Sequence, residues 1–191
     1  MLVSNNFGPD IINTIKKGGV GVIPTDTIYG LVGLALNQDS IQRMYEIKGR
    51  DQSKPFIILI SSTKELELFG IQLNEGQRVF LKKYWPGKLS VIIPFVGEGL
   101  DYLSRGHNTL TFRTPNNTRL INLLEQTGPL AAPSANPEGR PPATNKSEIL
   151  GYFDDKIDFI VDKETITDSA STLVDLSNVE PVVLRQGDVK I

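Results

Sequence analysis

The chain has 191 residues, of which 39% are hydrophobic, so it can bury the core of one domain or at most two small ones. Its 20 lysines and arginines against 22 aspartates and glutamates exclude a globally basic nucleic-acid-binding protein, although a local basic cleft stays open. Because the chain has no cysteine, disulfides, thiolate catalysis and cysteine-ligated metal sites are excluded.

The beginning of the chain, MLVSNNFGPD, lacks the basic flank and apolar core of a signal peptide. No apolar run approaches the roughly 18 residues of a membrane helix. We therefore expect a soluble, cytoplasmic protein that is not associated with a membrane.

The first part of the chain predicts a helix, a strand and a second helix. A proline in the first turn and an apolar stripe predict a helix over Pro9–Lys17, and the strand Val20–Ile23 follows it. The second helix is predicted over Asp39–Lys48, with its first residue as the N-cap. Gly49 stands where a left-handed residue ends such a helix.

The middle of the chain predicts a buried strand and two helices. The continuous apolar run Pro55–Ile60 is typical of a strand covered on both faces. The segment Ser62–Glu65 matches a capping box and predicts a short helix over Thr63–Phe69. Another helix starts at Asn74–Gln77 and is broken by Pro86.

Strands predominate in the last part of the chain. Leu89–Phe95 and Leu110–Arg113 predict strands joined by an irregular loop, and Pro115 opens a helix. The proline-rich segment 129–144 predicts a short apolar piece and a loop, after which Asn145 caps one more helix. The last predicted strands are Ile157–Val161, Thr172–Leu176 and Val182–Leu184. Because strands and helices mix without strict alternation, we expect one α/β domain over 1–191 with a twisted, mixed sheet flanked by helices.

The common nucleotide-binding and catalytic motifs are missing. There is no GxxxxGK[ST] P-loop, the glycines of GGVGVIP precede a strand, and AAPSAN is not a GxSxG elbow. The one histidine, His107, lies in a glycine-flanked loop and is interpreted as a surface residue. The remaining groups at loop positions are hydroxyls, fixed cations and backbone amides, which stabilise phosphates and carboxylates.

Cations are placed at the ends of predicted elements. Lys48, Arg50 and Lys54 fall within KGRDQSKPF, while Arg113 and Arg185 each end a predicted strand. Open α/β sheets place ligands at such strand-end loops. Lysine and arginine also favour element ends for structural reasons alone, so composition leaves both interpretations open. The small polar motifs PTDT, PSAN and SASTLVD occupy similar positions, and each taken singly is ordinary turn chemistry.

Taken together and in order, seven short motifs resemble the YrdC/TsaC family of threonylcarbamoyl-AMP synthases: PTDTIYGL, KGR…SKPF, WPG, FRTP, PSAN, STLVD and LRQG. They extend from about Gly18 to Gly187. The resemblance implies a YrdC-like fold around a basic cavity, of the short, single-domain type. It also implies an ATP-dependent nucleotidyltransferase that condenses L-threonine, bicarbonate and ATP, with Mg²⁺, to threonylcarbamoyl-AMP and releases pyrophosphate. A downstream tRNA threonylcarbamoyl transferase complex would use the product to modify the adenosine next to the anticodon.

The resemblance also implies which residues form the site. The family's KxR…SxN set maps onto the catalytic candidates Lys48, Arg50, Ser134 and Asn136. The ATP-binding candidates are Arg50, Lys54, Thr109, Ser134, Pro142 and Arg185. The threonine-binding candidates are Thr27, Tyr29, Ser171 and, as the carboxylate anchor, Arg113. The resemblance implies no protein ligands for the metal, because the phosphates of ATP would mainly hold Mg²⁺.

Charge repulsion is the main obstacle to this reaction, because a carbamate must attack the α-phosphate. Lys48 and Arg50, with Mg²⁺, would offset it. We therefore expect Lys48→Ala or Arg50→Ala to abolish synthesis while the fold survives, since both positions lie at an element end away from the apolar stripes. Thr25–Tyr29 is expected to form a wall of the threonine pocket facing these two cations. The role of Asp26 stays open.

Two alternatives remain beside the synthase. One is a non-catalytic module that binds RNA or tRNA in the same basic cavity. The other is a carbamoyl-transfer module like the YrdC-type domain of hydrogenase maturation proteins.

Longer relatives carry a histidine where this chain has an apolar residue around Leu59, and this difference concerns the subtype within the family more than the activity. The oligomeric state and direct contact with tRNA stay open.

Overall fold

The structure, a computed structural model, describes residues 1–163, 165–178 and 180–191. Its α-helices are α1 (Pro9–Lys16), α2 (Gln38–Lys48), α3 (Glu75–Tyr84), α4 (Asp101–Ser104), α5 (Thr118–Thr127) and α6 (Lys146–Phe153). Two 3₁₀ helices cover Thr63–Phe69 and Asp154–Lys156. The strands are β1 (Leu2–Ser4), β2 (Gly21–Pro24), β3 (Tyr29–Leu34), β4 (Ile57–Leu59), β5 (Leu89–Pro94), β6 (Thr109–Arg113), β7 (Leu130–Ala131), β8 (Phe159–Val161), β9 (Thr172–Asp175) and β10 (Val182–Arg185). Within these ranges no helix has the length and apolarity that crossing a membrane requires.

The strands of the described residues form one ten-stranded sheet in the order β1-β8-β2-β3-β7-β4-β6-β5-β9-β10. Four of its pairings are parallel: β1 with β8, β2 with β8, β4 with β6, and β5 with β9. The other pairings are antiparallel. The mixed sheet of an α/β domain that the sequence predicts is therefore confirmed.

Helices cover both faces of the sheet. Because successive strand residues point to opposite faces, Val22 and Ile23 of β2 enter two different apolar clusters. One cluster packs the buried residues of α1 and α5 against the sheet: Ile11, Ile12, Ile15, Leu120, Leu123 and Leu124. The other cluster holds the buried faces of α2, α3, α4 and α6. The polar loops therefore lie at the ends of the strands.

Two helices begin at other residues than the sequence predicts. The N-cap of α2 is Asn37, whose side chain accepts the backbone amide of Ser40 at 2.9 Å. The prediction that Asp39 is the N-cap is therefore wrong. Asp39 lies in the first turn instead, where a carboxylate favours the positive end of the helix dipole. The helix predicted to open at Pro115 begins at Thr118, because Asn117 caps it.

The predicted capping box at the short helix over 63–69 is also wrong. Ser62 makes no capping hydrogen bond with its side chain, and Glu65 accepts the amide of Ser61 at 2.7 Å instead. This segment forms a 3₁₀ helix. A complete capping box occurs at α3, where Asn74 and Gln77 each accept the backbone amide of the other.

The sequence prediction missed β1, β3 and the single-turn helix α4. The segment of β3, YGLVGL, contains two glycines, which weaken the local signal for a strand. A Cβ at Gly33 would lie 3.0 Å from the sulfur of Met44 and 3.3 Å from Cβ of Ser40, both on α2. The close packing of α2 on the sheet therefore favours glycine in the middle of this strand.

Candidate functional site

A cavity of about 240 Å³ lies where several strand ends meet. The turn between β2 and β3, the end of β6, the loop after β7, the segment before β9 and the end of β10 all contribute to it. Six of the candidates from the sequence line it: Thr27, Arg113, Ser134, Pro142, Ser171 and Arg185. The fold thus brings together residues that lie far apart in the chain.

The turn between β2 and β3 supplies two buried hydroxyls. The Thr25 hydroxyl donates to the carbonyl of Ile28 at 2.7 Å and accepts the amide of Thr27 at 3.1 Å. The hydroxyls of Thr25 and Thr27 lie 3.0 Å apart, and both residues are less than a tenth exposed. Thr25 belongs to the segment expected to form a wall of the threonine pocket, and it lines this cavity together with Thr27 and Ile28.

Tyr29 lies outside the cavity lining. Its side chain is completely buried, and its hydroxyl donates to the carbonyl and accepts the amide of Lys163, both at 2.9 Å. Burial raises the pKa of Tyr29, so the phenol stays protonated. The carbonyl of Tyr29 accepts the amide of Ala135 at 2.8 Å, which ties β3 to the loop after β7. A threonine-binding role for Tyr29 stays a prediction.

Arg113 forms a buried ion pair at the cavity. Its Nη1 lies 2.8 Å from Oδ1 of Asp26, and the two side chains are 5% and 7% exposed. Nη1 is therefore engaged by the carboxylate, whereas the buried Nε of Arg113 has no hydrogen-bond partner within the described residues. Burial lowers the pKa of Arg113, and the neighbouring carboxylate opposes that shift. A charged guanidinium with free N–H groups is suited to bind a carboxylate.

Asp26, whose role the sequence left open, has two partners. Its Oδ1 faces Arg113, and its Oδ2 accepts the amide of Asn116 at 2.9 Å. Asp26 therefore orders the turn that follows β6 and also balances the charge of the buried arginine. The sequence placed the two residues in separate motifs, PTDT and FRTP, and no local pattern connects them.

Ser171 and Arg185 are held against each other at the other side of the cavity. Nε and Nη2 of Arg185 donate to the carbonyl of Ser171 at 3.0 and 2.9 Å. The buried hydroxyl of Ser171 lies 2.8 Å from that of Ser90 on β5. A Cβ at Gly187 would lie 2.4 Å from the carbonyl oxygen of Ala170, so only glycine allows the chain after β10 to approach so closely.

Lys48 is buried and lies outside the cavity lining. Its ammonium donates to the carbonyls of Ser134 and Asn136 at 2.6 and 2.5 Å. Burial, followed by the nearby Arg50, lowers the pKa of Lys48 to about 7, while Glu138 acts in the opposite direction. Lys48 lies at the end of α2 as expected, but the expectation that it lies away from the apolar stripe is wrong, because it is only 2% exposed and shares the buried face of Ile41, Met44 and Tyr45. In this structure Lys48 holds the loop after β7.

The other two cations of the KGRDQSKPF motif also lie outside the cavity lining. Nε of Arg50 donates to the carbonyl of Lys54 at 3.0 Å, and its guanidinium lies 5.6 Å from the ring centroid of Phe56. Lys54 forms an ion pair with Glu138. That the threonine pocket faces Lys48 and Arg50 stays a prediction. ATP binding by Arg50 and Lys54 stays a prediction.

The side-chain amide of Asn136 has hydrogen-bond partners at its nitrogen but none among the described residues at its oxygen. Its amide nitrogen donates to the carbonyls of Pro137 and Arg140 at 3.0 and 2.7 Å. Its Oδ1 is buried and has no hydrogen-bond partner among the residues the structure describes. This oxygen is a free acceptor beside a loop that Lys48 holds in place.

Two further residues from the sequence lie apart from the cavity. Thr109 begins β6, opposite Pro94 of β5, and does not contribute to the lining. Its predicted contact with the nucleotide stays a prediction. His107 is exposed, and its Nε2 lies 2.9 Å from the carbonyl of Ser53, as its interpretation as a surface residue requires.

Comparison with known proteins connects this site to one family. A model of the Sua5/YciO/YrdC family, described as telomere recombination, matches residues 13–187. The threonylcarbamoyl-AMP synthase of Pyrococcus abyssi is 34% identical over 93% of this chain and 53% of its own length. A putative threonylcarbamoyl-AMP synthase of Mycobacterium tuberculosis is 31% identical over 93% of this chain and 82% of its own length.

A solved structure agrees with this similarity. P. abyssi Sua5 complexed with L-threonine superposes with a TM-score of 0.90 at 31% identity, covering 98% of this chain and 58% of that one. This chain therefore spans about half the length of the P. abyssi relative, and the residues that match the family model, 13–187, include the whole cavity lining.

Proposed function

The chain belongs to the Sua5/YciO/YrdC family, and on that basis we propose that it is an L-threonylcarbamoyladenylate synthase. The proposed reaction condenses L-threonine, bicarbonate and ATP and releases pyrophosphate, so the enzyme is a nucleotidyltransferase. The observation that carries the proposal is the single cavity that Arg113, Thr27 and Ser171 line together. The name of the P. abyssi relative and the L-threonine in its solved structure support the same substrate.

L-threonine would bind with its carboxylate on Arg113. The guanidinium of Arg113 lines the cavity, and its planar fork of N–H groups matches the two oxygens of a carboxylate. Because the arginine is buried, water screens the contact little, and Asp26 fixes the orientation of the guanidinium. The hydroxyls of Thr27 and Ser171 are available to the amino and hydroxyl groups of the substrate.

The proposed chemistry has two steps. The threonine amine attacks the carbon of bicarbonate, a C–N bond forms, and water leaves to give a carbamate. A carbamate oxygen then attacks the α-phosphorus of ATP, and the bond from that phosphorus to the bridging oxygen breaks to release pyrophosphate. Positioned cations lower the barrier, because they offset the repulsion between two anions. Arg185 lines the cavity, and Arg50 and Lys54 are the further candidates for this role.

We propose that Mg²⁺ enters with ATP. Within the described residues no group of three or more acidic or histidine side chains is placed to hold a metal ion. The phosphates of ATP would therefore provide most of its ligands. The ion supplies additional positive charge at the phosphoryl oxygens.

Lys48 would act as a positioning residue. Its ammonium is already engaged by the carbonyls of Ser134 and Asn136, so we propose that it fixes the loop on which these two candidates stand. Ser134 lines the cavity, and Asn136, two residues further along the same loop, has a buried oxygen without a hydrogen-bond partner among the described residues. Losing Lys48 would then displace both groups together.

The proposed product serves a second enzyme. Threonylcarbamoyl-AMP is a mixed anhydride whose threonylcarbamoyl group would go to the adenosine next to the anticodon of tRNA. A tRNA threonylcarbamoyl transferase complex in the cytoplasm would perform this transfer.

Pyrophosphate release tests the proposed function. The protein is incubated with ATP, Mg²⁺, L-threonine and bicarbonate, and the reaction is repeated without L-threonine or without bicarbonate. We expect release only in the complete mixture, together with a new adenylate detected by chromatography. Release without L-threonine would contradict the proposal. Salt-sensitive binding of tRNA without any adenylate would favour the RNA-binding alternative.

A further inference from the structure

The carboxylate of Glu138 occupies a site in which a cation and a backbone amide both contact it. Its carboxylate pairs with the ammonium of Lys54, and Oε2 accepts the amide of Asp51 at 2.6 Å. These contacts lower the pKa of Glu138, the bond to Lys54 most strongly. One ammonium and one backbone amide converging on the same carboxylate are also the donors that a phosphate group would use.

The surroundings of this carboxylate are held independently of it. The backbone of Lys54 is fixed because its carbonyl accepts the hydroxyl of Tyr45 and Nε of Arg50, each at 3.0 Å. On the other side, the amide of Glu138 donates to the carbonyl of Lys48 at 2.9 Å. Both segments therefore keep their places when the carboxylate and the ammonium separate.

The ion pair is exposed, which makes it exchangeable. The side chains of Lys54 and Glu138 are 52% and 32% exposed. Pairs with such exposure contribute little to stability, because water and salt compensate for their loss. An incoming phosphate with a larger negative charge can therefore take the place of the carboxylate.

We propose that Glu138 is an internal competitor for the phosphate groups of ATP. In the free protein it occupies the Lys54 ammonium and the Asp51 amide, and ATP displaces it on binding. Glu138 thereby lowers the affinity for ATP and leaves that for L-threonine unchanged. This inference rests on the proposed function, since it takes ATP as the ligand of Lys54.

Binding of the non-hydrolysable analogue AMPPNP with Mg²⁺, measured by calorimetry, tests the inference. We expect Glu138→Gln to lower the Kd by about two- to fivefold at low salt, with the difference shrinking at high salt. The side-chain amide oxygen can still accept the Asp51 amide, so the variant changes mainly the charge. Adenosine, which has no phosphates, should bind equally to both proteins. Glu138→Ala is the second variant, in which the competing carboxylate is removed entirely.

Glu46→Gln is the matched control. Glu46 is exposed on α2 near the same motif, and its carboxylate accepts only the side chain of Gln42 among the described residues. The Glu46→Gln variant therefore removes the same negative charge, and the residue it changes does not contact Lys54. Equal or weaker AMPPNP binding by both Glu138 variants, or an equal gain in the control, overturns the inference while the proposed function stands. Absence of AMPPNP binding by the unmodified protein overturns both.

Discussion

The two ion pairs around the candidate site differ mainly in burial. In the pair of Arg113 and Asp26 the side chains are 5% and 7% exposed, whereas those of Lys54 and Glu138 are 52% and 32% exposed. A buried pair that loses one partner leaves a charge that water cannot reach, while an exposed pair exchanges its partners at little cost. We infer that the first pair is a fixed part of the threonine site. The second is a contact that a ligand can replace.

The largest expected effect is on stability, and it separates the two pairs directly. Asp26→Asn should lower the free energy of unfolding by about 3 kcal/mol, because it leaves the charge of Arg113 buried without a counter-ion. Glu138→Gln, the same change of carboxylate to amide, should leave the urea midpoint nearly unchanged. Urea denaturation followed by circular dichroism measures both. Equal losses in the two variants would contradict the distinction between a fixed and a replaceable pair.

The second prediction concerns ligand affinity at the buried pair. Arg113→Lys keeps the positive charge but loses the planar fork that contacts a carboxylate with two N–H groups. We expect the Kd for L-threonine to rise by about 30-fold. The Kd for AMPPNP should change by less than about twofold, because the exposed pair is intact. A loss of AMPPNP affinity as large as that for L-threonine would show that the two regions are not separate.

A third effect, on the pH dependence of stability, is expected at Lys48, a buried cation held by carbonyls. Its pKa of about 7 in the folded protein lies below the ordinary lysine pKa of 10.5. Between these two pH values the unfolded chain retains a proton that the folded protein has released. Stability therefore rises with pH through this window, by at most about 1.4 kcal/mol per pH unit from this group.

Lys48→Met isolates this contribution. The unfolding free energy of the unmodified protein relative to the variant should increase from pH 7 to pH 9, measured by urea denaturation at each pH. A difference independent of pH would show that Lys48 stays charged in the fold. We also expect this variant to retain L-threonine binding and to lose adenylate formation, because the loop with Ser134 and Asn136 is released.

Much of the fold was predictable because its signals are local. The apolar stripes of α1 and α5, the left-handed Gly49 with φ of 57° and the continuous apolar run that forms β4 all follow from short stretches of sequence. β3 was missed because the close packing of α2 favours glycine at position 33, and that preference is tertiary. The three-residue strand β1 is too short for a periodic pattern.

The site was predictable only in part, for the same reason. Ordered motifs pointed to the segments that line the cavity. They did not reveal that Asp26 pairs with Arg113, or that the ammonium of Lys48 turns inward onto two carbonyls. Both features depend on where segments distant in the chain meet.

Doubly labelled substrates test the central claim most directly. The unmodified protein is incubated with ATP, Mg²⁺, ¹⁴C-bicarbonate and ³H-threonine, and the adenylate is isolated by chromatography. The account predicts a single adenylate that carries ¹⁴C and ³H in a one-to-one ratio, and much less of it with Arg113→Lys at the same L-threonine concentration. An adenylate with ³H but no ¹⁴C, or no labelled adenylate at all, would contradict it.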